Sequence, residues 1–289
     1  MNKKISIVIA TINRKKEISY LLDSIEMQKY DNLEIIIVDQ NKKIDLTDVI
    51  NKYKESLPIQ HYKVNFKGVA RARNYGAEKA TGEIINFTDD DSEYVSDLLE
   101  FVNNTFKNET KIDAIFGGVK DKNSDSSILK FKKQNTKVRK FNIYQTTIEG
   151  TMFIKLDVFK KSGMYDEMLG VGTYFGAEEG ADLVCRLLYE KYNLQYYSKI
   201  FVYHPNKRNE ELVKRAYKYN LGFGAFVYKH IKKYKKIYPA FIFLILKNIK
   251  SIYLIIIGLI TNNKRKIRYS CYCLAGRKQG IKKFRKYEK

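Results

Sequence analysis

Glu83-Ile84-Ile85-Asn86-Phe87-Thr88-Asp89-Asp90-Asp91 joins a short apolar run to three consecutive carboxylates. Ile84, Ile85 and Phe87 suit a buried strand, and the acids fall at its carboxyl end. In an α/β protein, ligands bind in the crevice outside the carboxyl ends of the strands. Carboxylates packed this closely repel one another unless a cation sits between them. Mg2+ and Mn2+ prefer oxygen ligands and bridge carboxylates to phosphates. The stretch therefore reads as a metal-assisted site for a diphosphate. A second reading leaves Asp91 and Ser92 to cap a helix beginning near Glu93, with the acids favoured by its dipole.

Ile5 to Ile9 is a buried strand by length and β-branching, and Lys16 to Gln28 carries apolar residues at helical spacing (Ile18, Leu21, Leu22, Ile25). Leu33 to Val38 is a second strand ending at Asp39. A polar helix reaches about Lys54, a weaker strand covers Gln60 to Val64, and Gly68 to Lys79 is a turn leading into a helix. Asp113 to Val119 and Gly150 to Ile154 read as further strands, Leu156 to Ser162 and Leu183 to Lys191 as helices, and 120–142 as a Lys-rich loop. Strands alternating with helices at this spacing predict an α/β fold with a doubly wound, mostly parallel sheet.

The chain has 289 residues and a formal net charge of +22. The charge is not evenly spread: residues 1–204 hold 31 Lys/Arg against 29 Asp/Glu, and residues 205–289 hold 23 against 3. A nearly neutral body, 1–205, thus precedes a strongly basic region, 206–289. Cys185, Cys271 and Cys273 form no CxxC pair and have no His at zinc-like spacing, which argues against a disulfide framework or structural zinc. The apolar run after Lys3-Lys4 is too short for a signal-peptide core and reads as the first strand, so the body is expected in the cytoplasm.

Residues 237–260 form the most apolar stretch and are long enough to span a bilayer. Lys247 and Lys250 interrupt it, and each costs roughly 2.5–3.5 kcal/mol at the centre of a spanning helix. The flanking basic runs (Lys232 to Lys236, Lys264 to Arg268, Lys282 to Lys286) suit an anionic leaflet. Helices lying in the interface are the expectation, ahead of one spanning helix or a buried core helix.

Together these segments resemble the family-2 glycosyltransferases, which have the GT-A fold. The resemblance runs from Ile5-Ser6-Ile7-Val8-Ile9-Ala10-Thr11-Ile12-Asn13-Arg14 through Val38-Asp39 and Gly68-Val69-Ala70-Arg71-Ala72-Arg73-Asn74-Tyr75-Gly76. It continues through Ala80 to Asp91, then Gly163 to Glu167, and ends in Phe175-Gly176-Ala177-Glu178-Glu179-Gly180-Ala181-Asp182-Leu183. It implies transfer of a sugar, with inversion, from a nucleoside diphosphate sugar (a UDP-sugar in first place) to a hydroxyl of a saccharide or lipid-linked saccharide in surface-polysaccharide synthesis. By position in these motifs, Asp91 is the principal ligand of a Mn2+ or Mg2+ ion in a DXD-type motif, and Asp89 contacts the ribose, donor sugar or metal. Asp90 completes the nucleotide-sugar site, Thr11, Arg14 and Asp39 hold the nucleoside, and Arg73 lies near the donor. His204 matches a position that joins the metal or diphosphate, though a turn residue before Pro205 is the other reading. The acidic block departs from the family's pattern. Glu179 is the expected general base, with Asp182 and Glu178 the alternatives, and Asp182 also suits the first turn of a helix.

The tail's chemistry places such an enzyme on the cytoplasmic face of the cell membrane, peripheral or monotopic, with an anionic membrane surface and no nucleic acid as partner. A basic nucleic-acid-binding protein is a competing reading, but the apolar stretch inside the basic tail has no purpose on a duplex. A metal-dependent nucleotidyltransferase is another, weakened by the absence of a GxxxxGK[ST] loop.

Overall fold

The computed structural model describes residues 1–205, 209–235 and 237–287. The boundary expected between 205 and 206, and Lys236 of the first basic run, fall against or among residues outside the described ones. The chain divides into two compact units: one takes in Met1–Asp166 and resumes at Leu183, and the other holds Glu167–Asp182 and the C-terminal helices.

The first unit is built on a mixed nine-stranded sheet. Strands β1 (Ile5–Thr11), β2 (Leu33–Asp39), β3 (Ile59–Lys63) and β4 (Ile84–Asp89) lie in the order β3-β2-β1-β4 and are all parallel. Helices α1 (Lys16–Glu26), α2 (Thr47–Tyr53) and α3 (Val69–Lys79) connect them. Ile5, Ile7, Ile9, Ile35 and Ile37 share one core with Ile18, Leu21, Leu22 and Ile25 of α1, all fully buried or nearly so. Each such side chain contributes about 1.5–3 kcal/mol on burial, which explains why period-2 strands and a period-3.6 helix face settle together.

Beyond β4 the sheet changes character. β6 (Ala114–Lys120) and β9 (Leu194–Tyr203) are parallel, while β8 (Phe153–Lys155) runs antiparallel between β4 and β6. The short strands β5 (Glu93–Tyr94) and β7 (Thr136–Lys137) both pair antiparallel with β9. Three expectations change here. The strand expected from Gly150 begins only at Phe153, after a 3-10 turn (Glu149–Thr151), because Asn86 Nδ2 and the Thr151 hydroxyl tie that segment to β4 and β6 by side-chain bonds. The loop 120–142 contains β7. No helix begins near Glu93: α4 starts at Leu98 and runs to Asn108, so Asp91 and Ser92 cap nothing. The unit is completed by α5 (Ile143–Thr146), α6 (Leu156–Lys161) and most of α7 (Glu179–Tyr189).

At the amino edge of the sheet, the buried carboxylate of Glu34 fastens three strands. It accepts from Ser6 Oγ at 2.6 Å, from the Thr81 amide at 2.7 Å and from the Gly82 amide at 3.2 Å, and pairs with Lys4 Nζ at 3.0 Å. Burial raises its pKa, but these donors outweigh burial and hold it down at about 2, from an ordinary 4.5. A depressed carboxylate contributes stability that is complete above its unfolded pKa and lost as pH falls through its folded one. The contribution is about 3 kcal/mol. Denaturant melts taken from pH 5 downward are expected to lose that increment between about 4.5 and 2, and Glu34→Gln should be less stable at neutrality and flatter over this window. Parallel acid profiles for the two proteins would refute the assignment.

In the second unit, α8 (Asn209–Lys232), α9 (Ile237–Ile260) and α10 (Lys264–Tyr287) pack pairwise. α8 and α10 meet backbone to backbone where Gly224 and Gly280 face each other: a Cβ on Gly280 would lie 2.1 Å from the Leu221 carbonyl and 2.9 Å from Gly224 Cα. Leu169 and Phe175 pack with Leu221, Ala225 and Phe284, holding the 167–182 segment to these helices.

Candidate active site

Register fixes the first group of side chains. Thr11 pairs with Asp39 across β1 and β2, and Ala10 with Asp89 across β1 and β4, so three strands end on one edge with polar residues. This edge lies where the strand order turns back between β1 and β4, the place where open α/β sheets take ligands. Asp39 is buried; its Oδ1 accepts from the Asn41 amide at 2.8 Å and its Oδ2 lies 3.1 Å from His61 Nε2. Asn41 Oδ1 in turn accepts from the Asn13 amide at 2.5 Å, shaping the turn after β1.

The acid triplet is compensated by three protein cations or imidazoles. Arg73, itself buried, donates from Nη2 to Asp89 Oδ1 at 2.8 Å, with its guanidinium 5.7 Å from the Tyr165 ring. Arg14 pairs with Asp90 at 3.1 Å and with the other side of Asp91. His204 Nε2 stands 3.1 Å from Asp91 Oδ1. The last contact follows from sheet register. Glu93 pairs antiparallel with Tyr203, which brings the residue after Tyr203 beside the residues before Glu93. The His204 amide also donates to the Lys120 carbonyl at 2.9 Å. The 3-10 turn closes the far side, with Gly150 next to Asp89.

Electrostatics divide the triplet. Burial pushes Asp90 up to about 6, against the pull of Arg14 and the Thr11 hydroxyl, with Asp91 and Asp89 adding like charge. Asp91 is also raised by burial, but His204 and Arg14 more than offset it and hold the group well below the carboxylate range. One carboxylate is thus firmly ionised beside one that protonates readily.

Among the described residues no group of three or more His, Cys, Asp or Glu converges as a ready-made metal cage. Asp91 supplies the kind of oxygen ligand a hard cation takes, since such ions are held by one or two carboxylates with the rest from phosphate and water. His204 Nε2 lies at hydrogen-bonding distance from that carboxylate, 3.1 Å.

The later acidic block belongs to the second unit. Asp182 is fully buried, with Oδ1 2.7 Å from Lys229 Nζ and 3.0 Å from His230 Nε2 of α8. Glu179, at the start of α7, is buried, and Glu178 sits in left-handed backbone (φ 76) with Lys247 Nζ 3.8 Å away. Gly222 lets α8 approach the Phe175–Ala177 backbone just before these acids, a Cβ there meeting the Phe175 carbonyl at 2.6 Å.

The structure thus gathers Thr11, Arg14, Asp39, Arg73, Asp89, Asp90, Asp91 and His204 in the first unit. It adds His61, Asn41, Asn13 and Tyr165, which sequence reasoning passed over. His61 carried one usable signal: it lies on the strand beside β2, two residues before the partner of Asp39.

A parallel α/β core with acids and cations on this edge defines the GT-A class of fold. The chain belongs to glycosyl transferase family 2, whose profile matches residues 6–163. Solved relatives agree on the fold. TarS 1–349 of S. aureus in complex with UDP superposes with a TM-score of 0.60 at 15% identity, covering 98% of this chain and 92% of that one. A mannosyltransferase of Pyrobaculum calidifontis in complex with GDP-Man and Mn2+ gives 0.63 at 14% identity, covering 97% and 88%. Among curated proteins, the UDP-Glc:alpha-D-GlcNAc-diphosphoundecaprenol beta-1,3-glucosyltransferase WfaP of Escherichia coli is 40% identical over 92 residues, which is 32% of this chain and 37% of WfaP. The GalNAc(5)-diNAcBac-PP-undecaprenol beta-1,3-glucosyltransferase of Campylobacter jejuni is 34% identical over 99 residues, 33% of this chain and 32% of that protein. The chain matches about a third of the length of each.

Proposed function

We propose that the protein is an inverting glycosyltransferase that moves a sugar from a nucleoside diphosphate sugar, first of all a UDP-sugar, to a hydroxyl of a lipid-linked saccharide in surface-polysaccharide assembly. It would work on the cytoplasmic face of the cell membrane, held at an anionic leaflet by its C-terminal helices. The observation that carries the reading is Asp91, ionised at the carboxyl edge of the sheet between Arg14 and His204. The names of the matched E. coli and C. jejuni relatives support the acceptor class.

In this reading Asp39 accepts from the base, with Thr11 and Asn41 lining the same edge, and Asp89 and Asp90 meet the ribose and donor sugar. Asp91 and His204, with Asp89 in reach of the same donor group, would hold Mn2+ or Mg2+. That ion, when bound, neutralises charge developing on the leaving diphosphate. Arg14 and Arg73 add fixed positive charge near the same group, where preorganised cations stabilise a developing anion. The acceptor hydroxyl gives its proton to Glu179 as its oxygen bonds the anomeric carbon, and the bond from that carbon to the diphosphate oxygen breaks. Asp182 and Glu178 are the alternatives for the base, and all three lie beyond the family-matched residues.

Calorimetric titration of the purified protein with UDP, GDP and dTDP, each with and without Mn2+, tests the donor site. One nucleotide is expected to bind at least about tenfold more tightly with Mn2+, and Asp91→Ala should lose that gain. Folded protein that binds none of the three would overturn the reading.

A further inference from the structure

α9 is the one helix among the described residues long and apolar enough to cross a membrane by length and composition. A helix on the surface of a soluble protein turns its apolar stripe inward and its polar residues out. α9 does the reverse. Lys247, Asn248 and Ser251 face protein: Ser251 is buried, and Arg277 of α10 donates to Asn248 Oδ1 at 2.8 Å, to Ser251 Oγ at 2.5 Å and to the Lys247 carbonyl at 3.2 Å. Lys247 Nζ lies 3.8 Å over the Phe223 ring and 3.8 Å from Glu178. On the other side Leu246, Ile249, Ile252, Tyr253, Ile256 and Leu259 are each at least half exposed. These positions recur at steps of three and four and so form one stripe.

An exposed apolar face of this length marks an interaction surface, and its flanks say what covers it. Lys232, Lys233 and Lys235 precede α9, and Lys264, Arg265, Lys266 and Arg268 follow it, in a region carrying 23 Lys/Arg against 3 Asp/Glu. A second copy of the chain would bring two such regions together against their repulsion, whereas anionic headgroups neutralise them. The exposed Lys250 can run its stem along the stripe and keep its ammonium among the headgroups. A spanning pose would carry Lys247, Asn248 and the cationic α10 fastened to them into hydrocarbon, where charge is strongly disfavoured.

We infer that α9 lies flat in the boundary between headgroups and acyl chains of an anionic leaflet, its Leu246–Leu259 stripe buried in lipid and its Lys247–Asn248–Ser251 side fastened to the protein. The inference rests on the membrane partner proposed above and adds which face is buried and how the helix lies. The same helix carries Lys247 to Glu178, so the lipid-bound element also braces the acidic block.

The full chain should be mixed with preformed phosphatidylcholine vesicles with and without phosphatidylglycerol. Binding is expected with phosphatidylglycerol and about tenfold weaker without it. The triple variant Ile249→Glu, Ile252→Glu, Ile256→Glu should bind about a hundredfold more weakly with an unchanged melting temperature. If it melts early, the serine triple variant at these sites decides. Undiminished binding by the folded variant, or a dimer in solution that ignores vesicles, would overturn the inference. Single cysteines at Leu246, Tyr253 and Ile260, in a Cys271→Ser background, then report depth through spin-labelled lipids. Equal depths are expected; a gradient across the roughly 21 Å that separates the outer two along a helix would mean spanning and overturn the flat pose. Vesicle binding by a protein that binds no nucleotide would leave this inference standing and remove the donor-site reading.

Discussion

Asp91→Asn is expected to lower kcat/KM for sugar transfer by about a thousandfold, equivalent to about 4 kcal/mol of transition-state stabilisation. The substitution keeps the shape of the side chain and removes its charge. Asp91 is the member of the triplet held ionised, because His204 stands 3.1 Å from one oxygen and Arg14 pairs with the other. Neighbouring acids cannot replace it. Asp90 is paired with Arg14 at 3.1 Å, and Asp89 is already engaged by Arg73. A hard cation bridging protein to diphosphate would therefore lose its main anionic ligand, and removal of one such electrostatic element from a preorganised site costs about two to three orders of magnitude in rate. The variant should also lose the Mn2+ dependence of nucleotide binding while melting within a few degrees of wild type, since Arg14 retains Asp90. Initial rates with a labelled donor decide it: turnover within tenfold of wild type would show that the triplet does not carry the leaving group.

The parallel half of the sheet was legible in the sequence because its strands are written in short apolar runs. Ile5 to Ile9, Leu33 to Val38 and Ile84 to Phe87 each end on the polar residues that form the site, and the helix between Gly68 and Lys79 appears where its motif puts it. β9 was not legible. It mixes buried and half-exposed residues, with Ser198 and Lys199 in its middle, and its pairing with β6 shifts register between Phe116 and Gly118. Missing β9 meant missing why His204 reaches Asp91, a contact made by the pairing of the two residues of β5 with a strand more than a hundred residues away. The acids themselves misled in one respect: three in a row before Ser92 imitate a helix cap, yet the chain first makes a strand and enters α4 through Asp97 in left-handed backbone. In the tail, composition showed how much apolar and basic material there is but not which way it faces. Lys247 counted as a charge in an apolar helix until the fold turned it toward Glu178 and Phe223.

Glu179→Gln is expected to reduce kcat by about a thousandfold, within the range typical for loss of a general base, while nucleotide affinity stays within about twofold of wild type. Three acids compete for the role, and their surroundings separate them. Asp182 is fully buried with Lys229 and His230 both on one oxygen, the environment of a carboxylate that fastens the start of α7 to α8. Its replacement by Asn removes the negative charge that lies 2.7 Å from a buried ammonium, so Asp182→Asn should destabilise the protein by about 3–5 kcal/mol, visible as early melting. Glu178 sits in left-handed backbone facing Lys247 and is the member tied to the lipid-side helix. Glu179 opens α7 one turn before Asp182, where a carboxylate is favoured by the helix N-terminus and is held by the elements that Asp182 anchors. Steady-state rates, nucleotide titrations and melts on the three single variants separate the roles. The expected pattern is loss of kcat alone for Glu179→Gln and loss of stability first for Asp182→Asn. Near-wild-type turnover in Glu179→Gln, beside a stable and inactive Asp182→Asn, would transfer the base to Asp182 and make the buried lysine and histidine part of its proton path.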